Sequence, residues 1–326
     1  MTTEIVHADA AIPALQPVQV SDPGVLLHTH LSRLSEKTQV AYQGDLRCFA
    51  EFTGHDLQAS ITALVQLDVA SAHVVASRYL EWMRTAKEWS PATVMRRYAA
   101  LSSLLKTARV LGLVSWVLEI SPPPAESLKD TRGPGLEALR KMLTVAAANT
   151  TRIGLRDYAI LRLMADLGLR CGEVESLRLA DLPADGLKIW IMGKGKKERL
   201  AVSLPPPTQQ ALANWIRIRG LAPGALFLNF DRAGQNREAA GSKLSARSIY
   251  NIVLRISEQC GTATHPHGIR HTAITAALEV TNGNIREVQK FSRHAKPETV
   301  IKYDDNRLDG GGKIANILSG VYDGKK

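Results

Sequence analysis

The sequence lacks the patterns that mark a membrane-spanning, secreted or disulfide-stabilised protein. Its three cysteines, Cys48, Cys171 and Cys260, are far apart, and they form no CxxC or Cys/His metal-binding pattern. No apolar run reaches the roughly 18 residues that a membrane span requires. Residues 1–23 have neither a basic start nor a continuous apolar segment, so they are not a signal peptide. These absences predict free thiols in a cytoplasmic protein, with residues 1–23 as a flexible head.

A surplus of positive charge is the main signal in the composition. The chain of 326 residues has 41 Lys and Arg against 31 Asp and Glu, a formal net charge of +10. This balance favours a polyanionic partner, nucleic acid first, although a basic enzyme of another kind would carry the same charge. The length allows two domains, and the hydrophobic content of 45% is enough to bury a core.

Residues 24–120 predict a helical domain without strands. Apolar residues recur at helical spacing from about 36 to 53 and from about 71 to 85. The clearest helix begins at Ser90-Pro91, with serine as N-cap and proline in the first turn, and it ends before Gly112. Basic residues lie mostly off the apolar stripe of this helix, and the following are candidate DNA contacts, with a solvated face as the alternative: Arg96, Arg97 and Lys106.

Residues 121–135 predict an interdomain linker, because they hold four prolines and two glycines in 15 residues. The second domain then occupies 136–305, and it opens with two helical patterns. Gly168 and Gly172 follow the second helix and bracket Arg170. An arginine at such a break can enter a cleft and bind two phosphate oxygens, although a structural arginine is the alternative.

Two alternating segments at 187–191 and 198–204 predict a β-hairpin with a basic, glycine-bearing turn. Lys194 lies at the entry to this turn. Lys196 and Lys197 lie at its tip, where DNA contact and simple solvation are equal alternatives. The turn joins strand to strand and lacks the G-x-x-x-x-G-K-[ST] spacing, so it is not a Walker A loop.

Reactive side chains are densest between residues 265 and 303. His267 and Arg270 are three apart on a predicted helix and therefore share a face, whereas His271 is expected to point elsewhere and to be structural. Another short helix, at 284–292, leads to His294, and a turn that starts at Pro297 carries Tyr303.

These groups suit the transfer of a phosphodiester without a metal. Two guanidinium groups match the charge that grows on the phosphate in the transition state. A tyrosine can attack phosphorus and hold a covalent intermediate, while a histidine accepts its proton and a lysine protonates the leaving alkoxide. The sequence has no acidic metal-binding cluster, and fixed cations can take the place of the metal's charge, so no metal or other cofactor is predicted.

In their order and spacing, the motifs resemble the tyrosine recombinase (phage integrase) family, and in particular its Xer- or Cre-like simple recombinases. The resemblance covers about residues 25–322 and rests on these segments: Gly168-Leu-Arg-Cys-Gly-Glu173, the hairpin turn at 193–199, His267-Gly-Ile-Arg-His271, and His294 nine residues before Tyr303. It implies a mainly α fold with a small antiparallel β-sheet in the C-terminal domain. A helical core-binding domain and a catalytic domain would together clamp DNA.

The resemblance implies a role for each motif residue. Arg170 and Arg270 would bind the non-bridging oxygens of the scissile phosphate, and Lys194 would protonate the 5′ oxygen. His267 would act as the base for Tyr303, which would form a 3′-phosphotyrosine.

Three further residues take their expected roles from the same motifs. His294 would hydrogen-bond the phosphate. Glu173 would support Arg170, although an ordinary acid at a helix N-terminus is the alternative. The family usually has Leu-Gly-His where this chain has Ser292-Arg293-His294, and Arg293 is expected either to contact DNA or to disturb the local turn.

The resemblance also implies the partners. The chain would act on a specific site in double-stranded DNA without ATP, as a dimer on each site and a tetramer in the synapse. The tail at 306–326 contains a short amphipathic pattern, which would dock on a neighbouring protomer or pack on its own domain. About 23 residues precede the first helices, too few for an arm-binding domain, which favours a simple recombinase.

Several alternatives stay open at this point. The biological task could be dimer resolution, cointegrate resolution, or integration and excision. A type IB topoisomerase or a telomere resolvase would use the same chemistry. A non-catalytic DNA-binding accessory protein is the alternative from another class, and the complete set of reactive residues argues against it.

Overall fold

The computed structural model describes residues 23–120, 133–193, 198–230, 242–303, 315 and 318–323. The chain divides into two compact units, Met1–Leu128 and Lys129–Lys326. The described residues are mainly helical, and their one named sheet is a two-stranded antiparallel sheet in the second unit. The predicted fold class is therefore confirmed. Most of the predicted linker at 121–135 lies outside the described residues, so the proposed domain boundaries stay predictions.

The described part of the first unit consists of five helices: α1 (Pro23–Ser32), α2 (Glu36–Thr53), α3 (Leu57–Val65), α4 (Val69–Thr85) and α5 (Pro91–Val110). The predicted helices correspond to α2, α4 and α5. Gly112 has a left-handed φ of 74° just after α5, as a helix-stopping glycine does. Sequence periodicity missed α1 and α3 because helices of 10 and 9 residues show fewer than three repeats of an apolar face.

The core of the first unit lies between α2, α4 and α5. The ring of Phe49 on α2 meets Tyr79 on α4 edge to face, with 5.2 Å between the ring centroids. The apolar stripe predicted for α5 is buried throughout and comprises Val94, Tyr98, Leu101, Leu105 and Ala108. Burial of this stripe turns the opposite face of α5, with Arg96 and Lys106, toward the surface.

The second unit contains these helices in its described residues: α6 (Gly135–Ala148), α7 (Arg152–Asp166), α8 (Cys171–Ser176), α9 (Pro206–Arg219), α10 (Ala246–Gln259), α11 (Pro266–Val280), α12 (Ile285–Ser292) and α13 (Glu298–Ile301). Helix α7 packs against α6, α9 and α11. It buries Ile160, Leu163 and Met164 completely, and so forms the centre of the unit. This central position fixes the end of α7, from which the candidate site is built.

The predicted hairpin is confirmed as β1 (Lys188–Met192) and β2 (Arg199–Ser203), which pair antiparallel. Ile189 and Ile191 are fully buried, while Lys188 and Trp190 face outward, as the alternation predicted. Residues 194–197 of its turn lie outside the described residues. Among the helices that the structure describes, none is long and apolar enough to cross a membrane.

Candidate phosphodiester-transfer site

The site begins at the break between α7 and α8. Gly168 has a left-handed φ of 59°, which turns the chain after α7 and makes Arg170 the N-cap residue of α8. The Glu173 carboxylate accepts hydrogen bonds from the Arg170 backbone nitrogen at 3.0 Å and from its Nη1 at 2.9 Å. The Arg170 side chain is 35% exposed, so its position is fixed while part of its guanidinium stays accessible.

Arg270 on α11 is almost completely buried, at 1% exposure. Its Nη1 donates to the Gly168 carbonyl and its Nη2 to the Ser292 carbonyl, while Nη2 also lies 3.1 Å from Nε2 of His294. Burial, together with the charges of Arg170 and Arg293, lowers the Arg270 pKa to about 10. Arg270 therefore remains charged at neutral pH, and it connects the helix break to the end of α12.

His294 follows α12 and faces Arg270. Its Nδ1 lies 2.9 Å from the Ser292 hydroxyl oxygen. Because an arginine can only donate, His294 Nε2 accepts from Arg270, and Nδ1 carries the proton of the neutral ring. Burial, and then the charges of Arg270 and Arg170, lower the His294 pKa to about 4, which keeps the ring neutral at pH 7.

Tyr303 is 7% exposed and packs in a small apolar cluster with residues of α11, α12 and α13. The ring centroid of His294 lies 5.5 Å from that of Tyr303, and the ring centroid of His267 lies at 6.4 Å. His267 is exposed as a residue, but partial desolvation of its ring and the charges of neighbouring histidines lower its pKa, so the ring is mostly neutral at pH 7. The structure thus brings the predicted nucleophile and two predicted histidines together.

The expectation that His271 points away from this site was wrong. Its ring centroid lies 4.8 Å from that of Tyr303, closer than the ring of His267 or His294. Thr275, one turn further along α11, has its hydroxyl within hydrogen-bonding distance of His271 Nδ1 and donates to the Tyr303 carbonyl at 3.2 Å. The sequence spacing already indicated this position of His271. His271 is four residues after His267 on the same helix, and residues four apart share a face just as residues three apart do.

The DNA contact at Arg293 stays a prediction, and the structure gives this arginine a set of partners within the protein. The Arg293 side chain is only 6% exposed, and its guanidinium donates to backbone carbonyls and to Glu173. The residue itself has a left-handed φ of 57° at the C-terminal cap of α12, so it does form an unusual turn. Burial alone would raise the pKa of Glu173, but Arg293 and Arg170 outweigh it and lower that pKa.

The remaining DNA-contact candidates differ in accessibility. Arg96 and Lys106 are exposed, although Arg96 Nη1 binds the Asp45 carboxylate. Arg97 is less available, because its guanidinium lies 3.3 Å from the Trp89 ring centroid and its side chain is 16% exposed. The predicted Lys194, Lys196 and Lys197 lie outside the described residues.

Sequence reasoning also missed the connection at the base of the hairpin. Arg199 of β2 forms an ion pair with Asp181, whose side chain is 3% exposed. This pair fixes the strand that follows the predicted lysine turn. In the part of the chain that the structure describes, no three His, Cys, Asp or Glu side chains cluster in a way that could hold a metal ion.

Comparison with known proteins identifies the family to which this site belongs. The model of the phage integrase family matches residues 137–308, which is more than half of the chain. A tyrosine recombinase of Synechococcus elongatus is 39% identical over 315 residues, covering 94% of this chain and 95% of the relative. The tyrosine recombinase XerC of Pelobacter propionicus is 30% identical over 306 residues, covering 90% and 93%.

A solved structure agrees at the level of the fold. The integrase of the Tn1549 transposon, in complex with circular intermediate DNA, has a TM-score of 0.65 at 15% identity, over 90% of this chain and 98% of that one. These matches do not favour the topoisomerase, telomere-resolvase or accessory-protein alternatives. The chain belongs to the phage integrase family and is a site-specific tyrosine recombinase.

Proposed function

We propose that Tyr303 is the nucleophile with which this recombinase cuts and rejoins double-stranded DNA. The Tyr303 hydroxyl attacks the scissile phosphorus, and the bond from phosphorus to the 5′ oxygen breaks. The tyrosine is then linked to the 3′ phosphate, and the other strand end is a free 5′-hydroxyl. This ester conserves the energy of the cleaved bond, so a second 5′-hydroxyl can reverse the step without ATP or a metal.

Two proton transfers accompany this exchange. His267 accepts the Tyr303 proton, a role that fits the lowered pKa of its exposed ring. Lys194 delivers a proton to the leaving 5′ oxygen. Both transfers are reversed when the strand is rejoined.

Arg170 and Arg270 bind the two non-bridging oxygens of the phosphate. Arg170 is one-third exposed and is held by Glu173, while Arg270 is buried and held by two carbonyls. Such preorganised cations need little rearrangement as charge grows in the transition state. His294 is neutral in the free protein, and the negative charge of an arriving phosphate raises its pKa so that it becomes a donor.

The observation that carries this proposal is the convergence of four separate elements. Arg170 comes from the start of α8, Arg270 from α11 and His294 from the end of α12, and Tyr303 follows α13. A hydrogen bond joins Arg270 to His294, and the His294 ring stacks on that of Tyr303.

We also propose that the active form is a dimer on each DNA site and a tetramer in the synapse. Residues 315 and 318–322 are helical, and three apolar side chains in this tail remain exposed: Leu318 (41%), Val321 (65%) and Tyr322 (78%). Packing of the tail on its own unit would bury these side chains. Their exposure supports docking on a neighbouring protomer in a cyclic assembly.

The surface of α5 and the predicted lysine turn supply the phosphate contacts. Arg96 and Lys106 are exposed for this purpose, and Lys196 and Lys197 complete the set. Action on DNA and the three free thiols fit a cytoplasmic protein, where cysteines stay reduced.

A suicide substrate, nicked next to the cleavage position, tests the nucleophile. The wild-type protein should accumulate a covalent DNA adduct, because the short strand with the 5′-hydroxyl diffuses away. Tyr303→Phe should bind the same DNA but form no adduct. Covalent adduct with Tyr303→Phe, or none with the wild type on its own site, would refute the proposal.

A plasmid assay separates recombination from topoisomerase activity. The wild type should exchange strands between two sites on a supercoiled plasmid. Relaxation of supercoils without any strand exchange would favour the type IB topoisomerase alternative.

A further inference from the structure

Arg293 occupies a position where an arginine is energetically unfavourable unless contacts of its side chain compensate. It has a left-handed φ of 57° at the end of α12, a conformation that glycine adopts without strain. Only two other non-glycine residues in the described part of the chain have a positive φ, Glu88 and Asn282. Arg293 combines this backbone with a charged side chain that is 6% exposed. Contacts of the side chain must offset both costs.

The contacts of Arg293 join α12 to the helix break that carries Arg170. Its Nη1 donates to the Phe291 carbonyl at 2.8 Å, and its Nη2 lies 3.0 Å from the Leu167 carbonyl oxygen. The same Nη2 lies 3.2 Å from the Gly168 carbonyl oxygen, which also accepts from Arg270. The carbonyl of Gly168 is thus held by two guanidinium groups, one from α11 and one from the C-terminal cap of α12.

Arg293 also shares the Glu173 carboxylate with Arg170. Arg170 Nη1 binds Oε1 at 2.9 Å, and Arg293 Nη2 binds Oε2 at 3.2 Å. Glu173 is 4% exposed, so little solvent screens its charge. Without Arg293, the hydrogen-bonded pair of Arg170 and Glu173 would by itself be neutral. With Arg293, the three groups keep one net positive charge beside the phosphate site.

We infer that Arg293 is a positioning residue for the cleavage reaction: it neutralises Glu173 and holds the helix break, so that Arg170 keeps its place and its attraction for the phosphate. This inference rests on the proposed role of Arg170 as a phosphate ligand. In this role Arg293 acts through Glu173 and Gly168 rather than by contacting the DNA, and it therefore affects the rate of cleavage more than the affinity for DNA.

Cleavage of the suicide substrate at saturating protein tests this inference with Arg293→Met and Arg293→Gly. Methionine keeps much of the apolar stem but removes the charge, and glycine adopts the left-handed turn without strain. Both variants should cleave about tenfold or more slowly, because small misplacements of a phosphate ligand reduce the rate strongly. Their affinity for uncleaved DNA, measured by fluorescence anisotropy, should stay within about threefold of the wild type.

Adding Glu173→Gln to Arg293→Met separates charge compensation from mere packing. The amide removes the carboxylate charge that Arg293 balanced, so the double variant should cleave about threefold or more faster than Arg293→Met alone. A purely structural role would make the second change neutral or harmful. Arg293→Gly at the wild-type rate, or no gain in the double variant, would overturn the inference.

Arg286→Met is the matched control, since it removes one positive charge from an exposed position of the same helix. It should cleave at the wild-type rate. The wild type and Tyr303→Phe are measured in parallel, because absence of a wild-type adduct would refute the proposed nucleophile itself. A normal wild-type adduct with an unimpaired Arg293→Gly would refute only the role of Arg293.

Discussion

Gly168 and Gly172 lie on either side of Arg170, yet only Gly168 has a backbone conformation that favours glycine. Gly168 has a left-handed φ of 59°, and its carbonyl accepts from Arg270 and Arg293. Gly172 lies inside α8, and a Cβ added there would have no neighbour within 4 Å. Alanine at the two positions therefore tests whether the break after α7 depends on backbone conformation.

The expected changes in the free energy of unfolding follow from the backbone conformation at each glycine. An added Cβ on Gly168 would lie 3.4 Å from the Phe291 ring, which is tolerable, so the penalty is that of the left-handed conformation. This penalty is about 1–2 kcal/mol for a residue with a Cβ. At Gly172, replacement by alanine removes the entropic cost of a helical glycine and should stabilise by about 0.5–1 kcal/mol. For the second unit, each kcal/mol corresponds to about 2–4 °C in melting temperature.

Differential scanning calorimetry provides the measurement. Gly168→Ala should lower the melting temperature of the second unit by about 2–8 °C, and Gly172→Ala should raise it by about 1–4 °C. Cleavage by Gly168→Ala should also fall by about tenfold or more, since two arginines depend on the same carbonyl. A Gly168→Ala protein that melts at or above the wild-type temperature would show that the break does not require this conformation.

Two further predictions concern His294 and the tail. Because the folded His294 has a pKa of about 4 against an ordinary 6.5, the unfolded chain binds a proton between these values that the folded chain does not. The free energy of unfolding should therefore fall by about 1–2 kcal/mol, after solvent screening, as the pH falls through this window. Urea denaturation should show a smaller fall for His294→Gln than for the wild type, and an equal pH dependence of the two proteins would contradict this prediction. Combining Leu318→Ser with Val321→Ser should reduce adduct formation on paired sites about tenfold or more without lowering the melting temperature. A drop of several degrees would instead show that the tail packs on its own unit.

Local sequence signals were sufficient where structure depends on neighbours in the chain. The start of α5 at Pro91, the stop at Gly112 and the alternation in β1 are local effects of the fixed φ of proline, the left-handed φ of glycine and the side-chain period of a strand, and the structure has all three. The predicted Ser90 is at the N-cap position, but its side chain makes no capping hydrogen bond. The break that presents Arg170 was predictable for the same reason, because a glycine after a helical pattern permits a left-handed turn. The roles of the motif residues came instead from the resemblance to a family.

Tertiary packing determined the burial and the neighbours of the site residues, which no local sequence pattern contains. His271 lies against Tyr303 because α11 and the segment after α13 pack together. Thr275, which also contacts Tyr303, is 28 positions away from it along the chain, and nothing in the sequence between them indicates either contact. The low pKa of His294 arises first from burial and then from Arg270 and Arg170, which reach it from other helices. Arg293 is a basic surface residue by composition, but packing of α12 against the α7–α8 break places it beside a buried carboxylate. Charge and residue type are properties of the sequence. The solvation of a side chain and the residues that it contacts are determined only once distant segments of the chain have packed together.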